Sequence, residues 1–166
     1  MITVTKRLEF DAGHRVLGHQ GRCRHLHGHR YVAEITVETP VLNGLGMVVD
    51  FGVIKTLVGG WLDKHWDHNI LLNPDDPLLR AFPATPKGFQ SKMYIEVFGG
   101  RAPYLFSSDL TMTGNYGRNP TAENMAMELY GVAQTLLKDH SLRVVKVRIW
   151  ETPSSYAEYA GTETVS

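Results

Sequence analysis

Cysteine is nearly absent from this chain. Its 166 residues include one, Cys23, so no internal disulfide can form and the thiol is free to react. Long apolar runs are missing as well: nothing approaches the roughly 20 consecutive apolar residues a membrane-spanning helix needs. Charge of one sign is missing too. Lys plus Arg and Asp plus Glu each number 17, so the formal net charge is zero. No bulk electrostatic pull toward nucleic acid or an anionic membrane is therefore expected, although a local basic pocket stays compatible with that balance. No internal repeat and no low-complexity tract occurs. The opening "MITVTKRLEFDAGH" alternates and carries charge, unlike a secretory signal. With a lone thiol and no export signal, a reducing cytoplasm is the expected compartment. Hydrophobic residues at 43% and charged residues at 20% fit one globular domain with a core.

Periodicity then predicts the elements. Residues 2–11 alternate through Ile2, Val4, Leu8 and Phe10 and read as a strand. Residues 27–38 alternate more cleanly: His27, His29, Tyr31, Ala33, Ile35 and Val37 share one face, with Arg30, Glu34 and Glu38 on the other. Asp50 can cap a helix starting near Phe51, in which Ile54, Leu57, Val58, Trp61, Leu62 and His65 recur at helical spacing. The pair Gly59-Gly60 weakens its middle. A second helix starts near Pro120–Thr121 and carries Met125, Ala126, Leu129, Val132, Ala133, Leu136 and Leu137 on one stripe. Residues 142–151 form a strand with Val145, Val147, Ile149 and Glu151 on one face, and "SYAEYA" (155–160) pairs with it after a turn. Residues 73–118 are rich in turn signals, with "SKMYIEVF" as one short strand, and read as an insert between the helices rather than a second domain. Two strands, two helices, two strands make an α+β fold: an antiparallel sheet with both helices on one face.

The stretch "GRCRHLHGH" (21–29) concentrates the chemistry. On a strand, positions i and i+2 point the same way, so His27 and His29 can meet one point. A catalytic zinc commonly takes three protein ligands and keeps one open position. His14, His19, His25, His65, His68 and His140 are candidates for the third. His14 is preferred because it continues the alternation of the first strand, which pairs with the second. The plainer alternative is a pair of hydrogen-bonded or exposed histidines. Cys23 is a ligand, a nucleophile or base, or an inert small residue. Arg22, Arg24 and the histidines make its surroundings positive, which favours thiolate. Asp67 and His68 are adjacent, as in a carboxylate that orients an imidazole, or else belong to the chemistry of a helix C-terminus. Glu151 ends an apolar strand on its inward parity. A carboxylate there could accept two parallel hydrogen bonds from a flat guanidine-like edge, or simply turn to water. Glu123 near a helix N-terminus is favourable with or without a function.

Taken together, "FDAGHR", "CRHLHGH", "LDKHWDHN", "NPTAEN" and "WET" resemble the 6-pyruvoyl-tetrahydropterin synthase / 6-carboxy-tetrahydropterin synthase family over residues 1–72 and 119–161. The resemblance implies a tunnelling fold, a ββααββ subunit that forms a barrel with its symmetry mates, in a homohexamer built from two trimers with pockets between subunits. It implies Zn2+ on His14, His27 and His29, and Cys23 as general base or thiolate. Asp67 and His68 would form the proton relay. Glu151, with Thr152, would anchor the pterin, and Glu123 would lie near it. The implied substrate is 7,8-dihydroneopterin triphosphate. The favoured branch gives 6-carboxy-5,6,7,8-tetrahydropterin, acetaldehyde and triphosphate, on the way to 7-deazaguanine nucleosides such as queuosine, because "ETPSSYAEY" resembles the bacterial carboxy type. The pyruvoyl branch, which releases triphosphate only, is the alternative. A third, folate-directed branch usually has glutamate where Cys23 stands, and the cysteine argues against it. The departure from the family is the insert at 73–118, which bears on the pocket, the assembly or substrate choice. A non-catalytic zinc- or pterin-binding module is the competing reading from another class, and a nucleic-acid binder ranks below both for want of a basic stripe.

Overall fold

The structure, a computed structural model, describes residues 1–81, 101–106 and 118–161. The strand suggested at "SKMYIEVF" lies outside them. Strand β1 (Ile2–His14) and strand β2 (His27–Thr39) pair antiparallel along their whole length, from Ile2 opposite Thr39 to His14 opposite His27. Both run past the expected limits because the alternation in "DAGH" continues it. A helical run, α1 (51–65), begins with Phe51–Ile54, passes through a π-helical segment at Lys55–Gly59 and ends with Gly60–His65. The Asp50 side chain accepts from the Gly52 N–H at its start, as the sequence suggested. The π segment falls at the Gly59 end that propensity marked as weak.

Strands β3 (Asn69–Leu72) and β4 (Tyr104–Leu105) follow, then helix α2 (Ala122–Leu137), strand β5 (Arg143–Thr152) and strand β6 (Ser155–Ala160). The six strands form one sheet in the order β4-β3-β1-β2-β5-β6. The expected four-stranded unit β1-β2-β5-β6 is antiparallel throughout. The sheet as a whole is not: β3 runs parallel to β1, and β4 parallel to β3, so the antiparallel expectation is corrected to a mixed sheet. The four residues "NILL" are too short to show a period, and β3 exists because it pairs with the edge of β1 while Leu71 joins the main core and Leu72 buries against Ile70, Leu78 and Leu79.

Both helices pack on one face. Leu8, Phe10, Tyr31, Ala33, Ile35, Val37, Val147 and Ile149 from the sheet bury against Ile54, Val58 and Leu62 of α1 and Met125, Leu129, Ala133 and Leu137 of α2. Cross-strand partners Phe10 and Tyr31 stack at 5.2 Å. The other face is laced with charge: Arg30 meets Glu9 at 3.0 Å, Lys146 meets Glu158 at 3.1 Å, and Arg143 donates to the buried Glu38 at 2.6 Å. The α+β class follows from this layering. Among the described residues no helix is long and apolar enough to cross a membrane.

Candidate functional site

The register of β1 on β2 brings three imidazoles together. His14 stands opposite His27, and His29 opposite Ala12, all three rings on the helix-covered side at the end of the sheet. Ring centroids lie 4.5 Å apart for His14–His27, 5.2 Å for His14–His29 and 4.9 Å for His27–His29. His14 Nδ1 donates to the Pro120 carbonyl at 2.7 Å, and His27 Nδ1 donates to the His25 carbonyl at 2.7 Å. These bonds hold the ring protons on Nδ1, the outer-shell arrangement typical of metal-binding histidines. The two Nε2 atoms then face each other as lone pairs at 3.1 Å. His29 Nε2 is buried without a hydrogen-bond partner among the described residues and lies 3.3 Å from Glu151 Oε1.

Facing lone pairs repel, and a cation between them removes the repulsion. Nitrogens bound to tetrahedral zinc at about 2.0–2.1 Å stand roughly 3.3 Å apart, close to the separation found. One ligand atom each from His14, His27, His29 and Glu151 lies within 4.8 Å of the others. Burial pushes the His14 imidazole below its ordinary value against the opposing pull of the Pro120 carbonyl. Burial likewise lowers His29 against the pull of Glu151. Both shifts favour the neutral ring, the form that binds metal. The cluster can hold a metal ion, and its donor set suits zinc.

A cleft of about 410 Å³ opens beside the histidines, lined by His14, Cys23, Glu123, Glu151 and Thr152 together with residues of β6. Four separate segments deliver these side chains. Cys23 sits in a 3-10 turn, Arg22–Arg24, pinned by the Val16 N–H donating to the Cys23 carbonyl at 2.8 Å. Glu123 lies in the first turn of α2, which Thr121 caps by accepting from the Asn124 N–H. Glu151 and Thr152 end β5, just before the turn into β6.

Asp67 and His68 form the pair expected, with His68 Nδ1 donating to Asp67 Oδ2 at 2.7 Å. Asp67 is fixed in turn: its Oδ1 accepts from the Asp11 N–H at 2.9 Å, and Arg101 donates to its carbonyl at 2.6 Å. Burial raises the Asp67 carboxyl, but the Asp11 N–H, His68 and Arg101 outweigh it and hold the group below its ordinary value. His68 takes a left-handed φ of 52° and is exposed, beyond the helix end at His65. Neither residue lines the cleft of Cys23. His68 lines a shallower recess with Gly13, Gly28, His29 and Arg30.

The other candidate ligands stand apart. His25 contributes its carbonyl rather than its ring, and His19 lies at the mouth of the cleft with Nδ1 accepting from the Gly21 N–H at 2.8 Å. Gly21 permits that fold-back, since a Cβ there would lie 2.8 Å from His19 Cε1. His65 tilts onto Trp61, and His140 is exposed. Two contributors escaped sequence reasoning. Tyr31 lies under the cluster, its ring edge-on to His14 and His29. Asn119 braces the carbonyl that orients His14: its side chain bonds Leu17 through both Oδ1 (3.0 Å) and Nδ2 (2.9 Å). The parity of Tyr31 with His27 and His29 was a usable signal for the first.

Known proteins resemble this chain in sequence and in fold. A family model described as 6-pyruvoyl tetrahydropterin synthase matches residues 3–162. A 6-carboxy-5,6,7,8-tetrahydropterin synthase of Rickettsia bellii is 40% identical over 159 residues, 95% of this chain and 99% of that one. The crystal structure of an uncharacterized protein from Wolinella succinogenes superposes with a TM-score of 0.78 at 21% identity, covering 97% of this chain and 98% of that one. A Caenorhabditis elegans 6-pyruvoyl tetrahydropterin synthase gives 0.62 at 22% identity over 97% and 96% of the two chains. These two show that the fold is shared, the tunnelling fold that the motifs implied. The chain belongs to the 6-pyruvoyl tetrahydropterin synthase family.

Proposed function

We propose that the protein is a zinc-dependent lyase that converts 7,8-dihydroneopterin triphosphate to 6-carboxy-5,6,7,8-tetrahydropterin, acetaldehyde and triphosphate, a step toward 7-deazaguanine nucleosides such as queuosine, in a reducing cytoplasm. The observation that carries this reading is one cleft lined by Cys23, Glu123, Glu151, Thr152 and His14, the last clustered with His27 and His29. The printed name of the Rickettsia bellii relative supports the carboxy product. The name of the family model leaves the pyruvoyl product as the second reading.

His14, His27 and His29 hold the zinc, which supplies Lewis-acid polarisation of the substrate's side-chain hydroxyls. Glu151 accepts two parallel hydrogen bonds from the amino-pyrimidine edge of the pterin, with Thr152 and Glu123 alongside. Cys23 takes a proton from the side chain as general base, and His68, oriented by Asp67, handles the second proton. His68 lines a different recess from Cys23, which supports a relay supplied to each cleft by a second copy of the chain. The homohexamer of two trimers, with its barrel of sheets, is the assembly proposed to place them.

Product analysis by mass spectrometry tests the reading. Zinc-loaded protein is incubated with 7,8-dihydroneopterin triphosphate under reducing, anaerobic conditions. The expected products are the 6-carboxy compound and acetaldehyde. A pyruvoyl product moves the pathway and keeps the site. Unchanged substrate with zinc bound favours the non-catalytic module.

A further inference from the structure

Tyr31 is fully buried, and nothing above uses its hydroxyl. The ring is held on three sides, stacked on Phe10 and edge-on to His14 at 5.7 Å and His29 at 5.4 Å. The hydroxyl oxygen is buried with no hydrogen-bond partner among the described residues. A hydroxyl left in that state forfeits its water and gains nothing for it, so buried hydroxyls nearly always have a partner in the working protein.

The neighbour able to supply one is Glu151. Strands β2 and β5 pair Val32 with Trp150. One step further along that register sets Tyr31 opposite Glu151 on the helix-covered face, where facing side chains start about 5 Å apart. The Glu151 carboxylate instead contacts His29 Nε2 at 3.3 Å. Buried and unpartnered, this nitrogen is the one that would take a metal. A ring nitrogen bound to a metal has no proton left to offer a carboxylate, so a metal there ends any proton sharing between His29 and Glu151 and leaves Glu151 either to join the metal or to take another donor.

We propose that Tyr31 is a positioning residue: when a metal takes His29 Nε2, Glu151 leaves that ring and accepts a hydrogen bond from the Tyr31 hydroxyl, which fixes the carboxylate facing the cleft while both oxygens keep acceptor capacity for a ligand. Metal binding thereby presets the carboxylate, and metal and pterin are coupled through one side chain. The second half of this statement rests on the reading of the cleft as a pterin site. The first half does not.

Two measurements test it with the full chain. The first is a crystal structure of the zinc-loaded protein without pterin. The expected result is Glu151 within about 3.0 Å of the Tyr31 oxygen. Glu151 bound to the metal, or Tyr31 still without a partner, overturns the proposal. The second is the affinity for 7,8-dihydroneopterin with and without zinc, in the natural protein and in Tyr31→Phe. That variant keeps the stack on Phe10 and is expected to keep its zinc. Zinc should tighten pterin binding at least about tenfold in the natural protein, and no more than about twofold in Tyr31→Phe. An equal gain in both overturns the role of Tyr31. If the natural protein binds no pterin in either state, the pterin reading and the coupling fall together, and the zinc-loaded structure alone decides the Tyr31–Glu151 bond.

Discussion

Single residues carry most of the chemistry, and their legibility in the sequence depended on distance along the chain. His27 and His29 could be read from parity alone, and His14 from the alternation of a strand that had to pair with theirs. The bond that orients His14 could not be read, because its acceptor is the carbonyl of Pro120, 106 positions away. Asp67 was suggested by adjacency to His68, yet the group that fixes it is the N–H of Asp11, on another strand. This has a consequence for acid stability. The Asp67 carboxyl is held below its ordinary value of 3.8 in the folded protein. A depressed carboxyl stabilises the fold above its unfolded value, and that contribution is lost as pH falls through the folded value. Urea unfolding from pH 7 to 3 should therefore find Asp67→Asn less stable than the natural protein at neutral pH. The gap should narrow below about pH 4. A gap that is constant with pH contradicts the assignment.

At the scale of elements, the four antiparallel strands and both helices follow from periodicity and caps, because each is long enough to repeat its pattern. β3 and β4 have four and two residues and show none. Their strand character comes from the partner edge, which tertiary contact supplies and sequence does not. The same holds for the segment before α2. "NPTAEN" stood out as a motif, but its use emerges only in the fold: Asn119 clamps Leu17 through two bonds, and Asn124 Nδ2 donates to the Asn119 carbonyl at 2.8 Å. This fixes the Pro120 carbonyl against His14. Asn119→Ala should leave the three ligands in place yet weaken zinc binding about 10- to 100-fold, as loss of an outer-shell partner does. Competition with a chromophoric chelator reads this directly, and unchanged affinity shows that the clamp serves the fold alone.

For the whole molecule, the arrangement of recesses is the telling feature. Cys23 faces the cleft beside His14 while His68 faces a shallower recess bordered by Gly28 and Arg30. A site completed by a second copy makes a specific demand. Cys23→Ala and His68→Ala, each inactive alone, should recover activity when unfolded together and reassembled, to roughly a quarter of the natural level for random mixing. No recovery, with mixed assemblies demonstrated by mass, places the working site within one chain. None of this was legible from periodicity or spacing, since an interface between copies leaves no period in one sequence. The family motifs alone implied it.

The most direct test of the central claim, a zinc held by His14, His27 and His29 with Cys23 free for chemistry, is the metal content of dialysed protein. The account predicts one zinc per chain in the natural protein, the same in Cys23→Ala, and a marked loss in His27→Ala. Loss of zinc from Cys23→Ala makes the thiol a ligand, and full zinc in His27→Ala places the metal elsewhere. Either result contradicts the account.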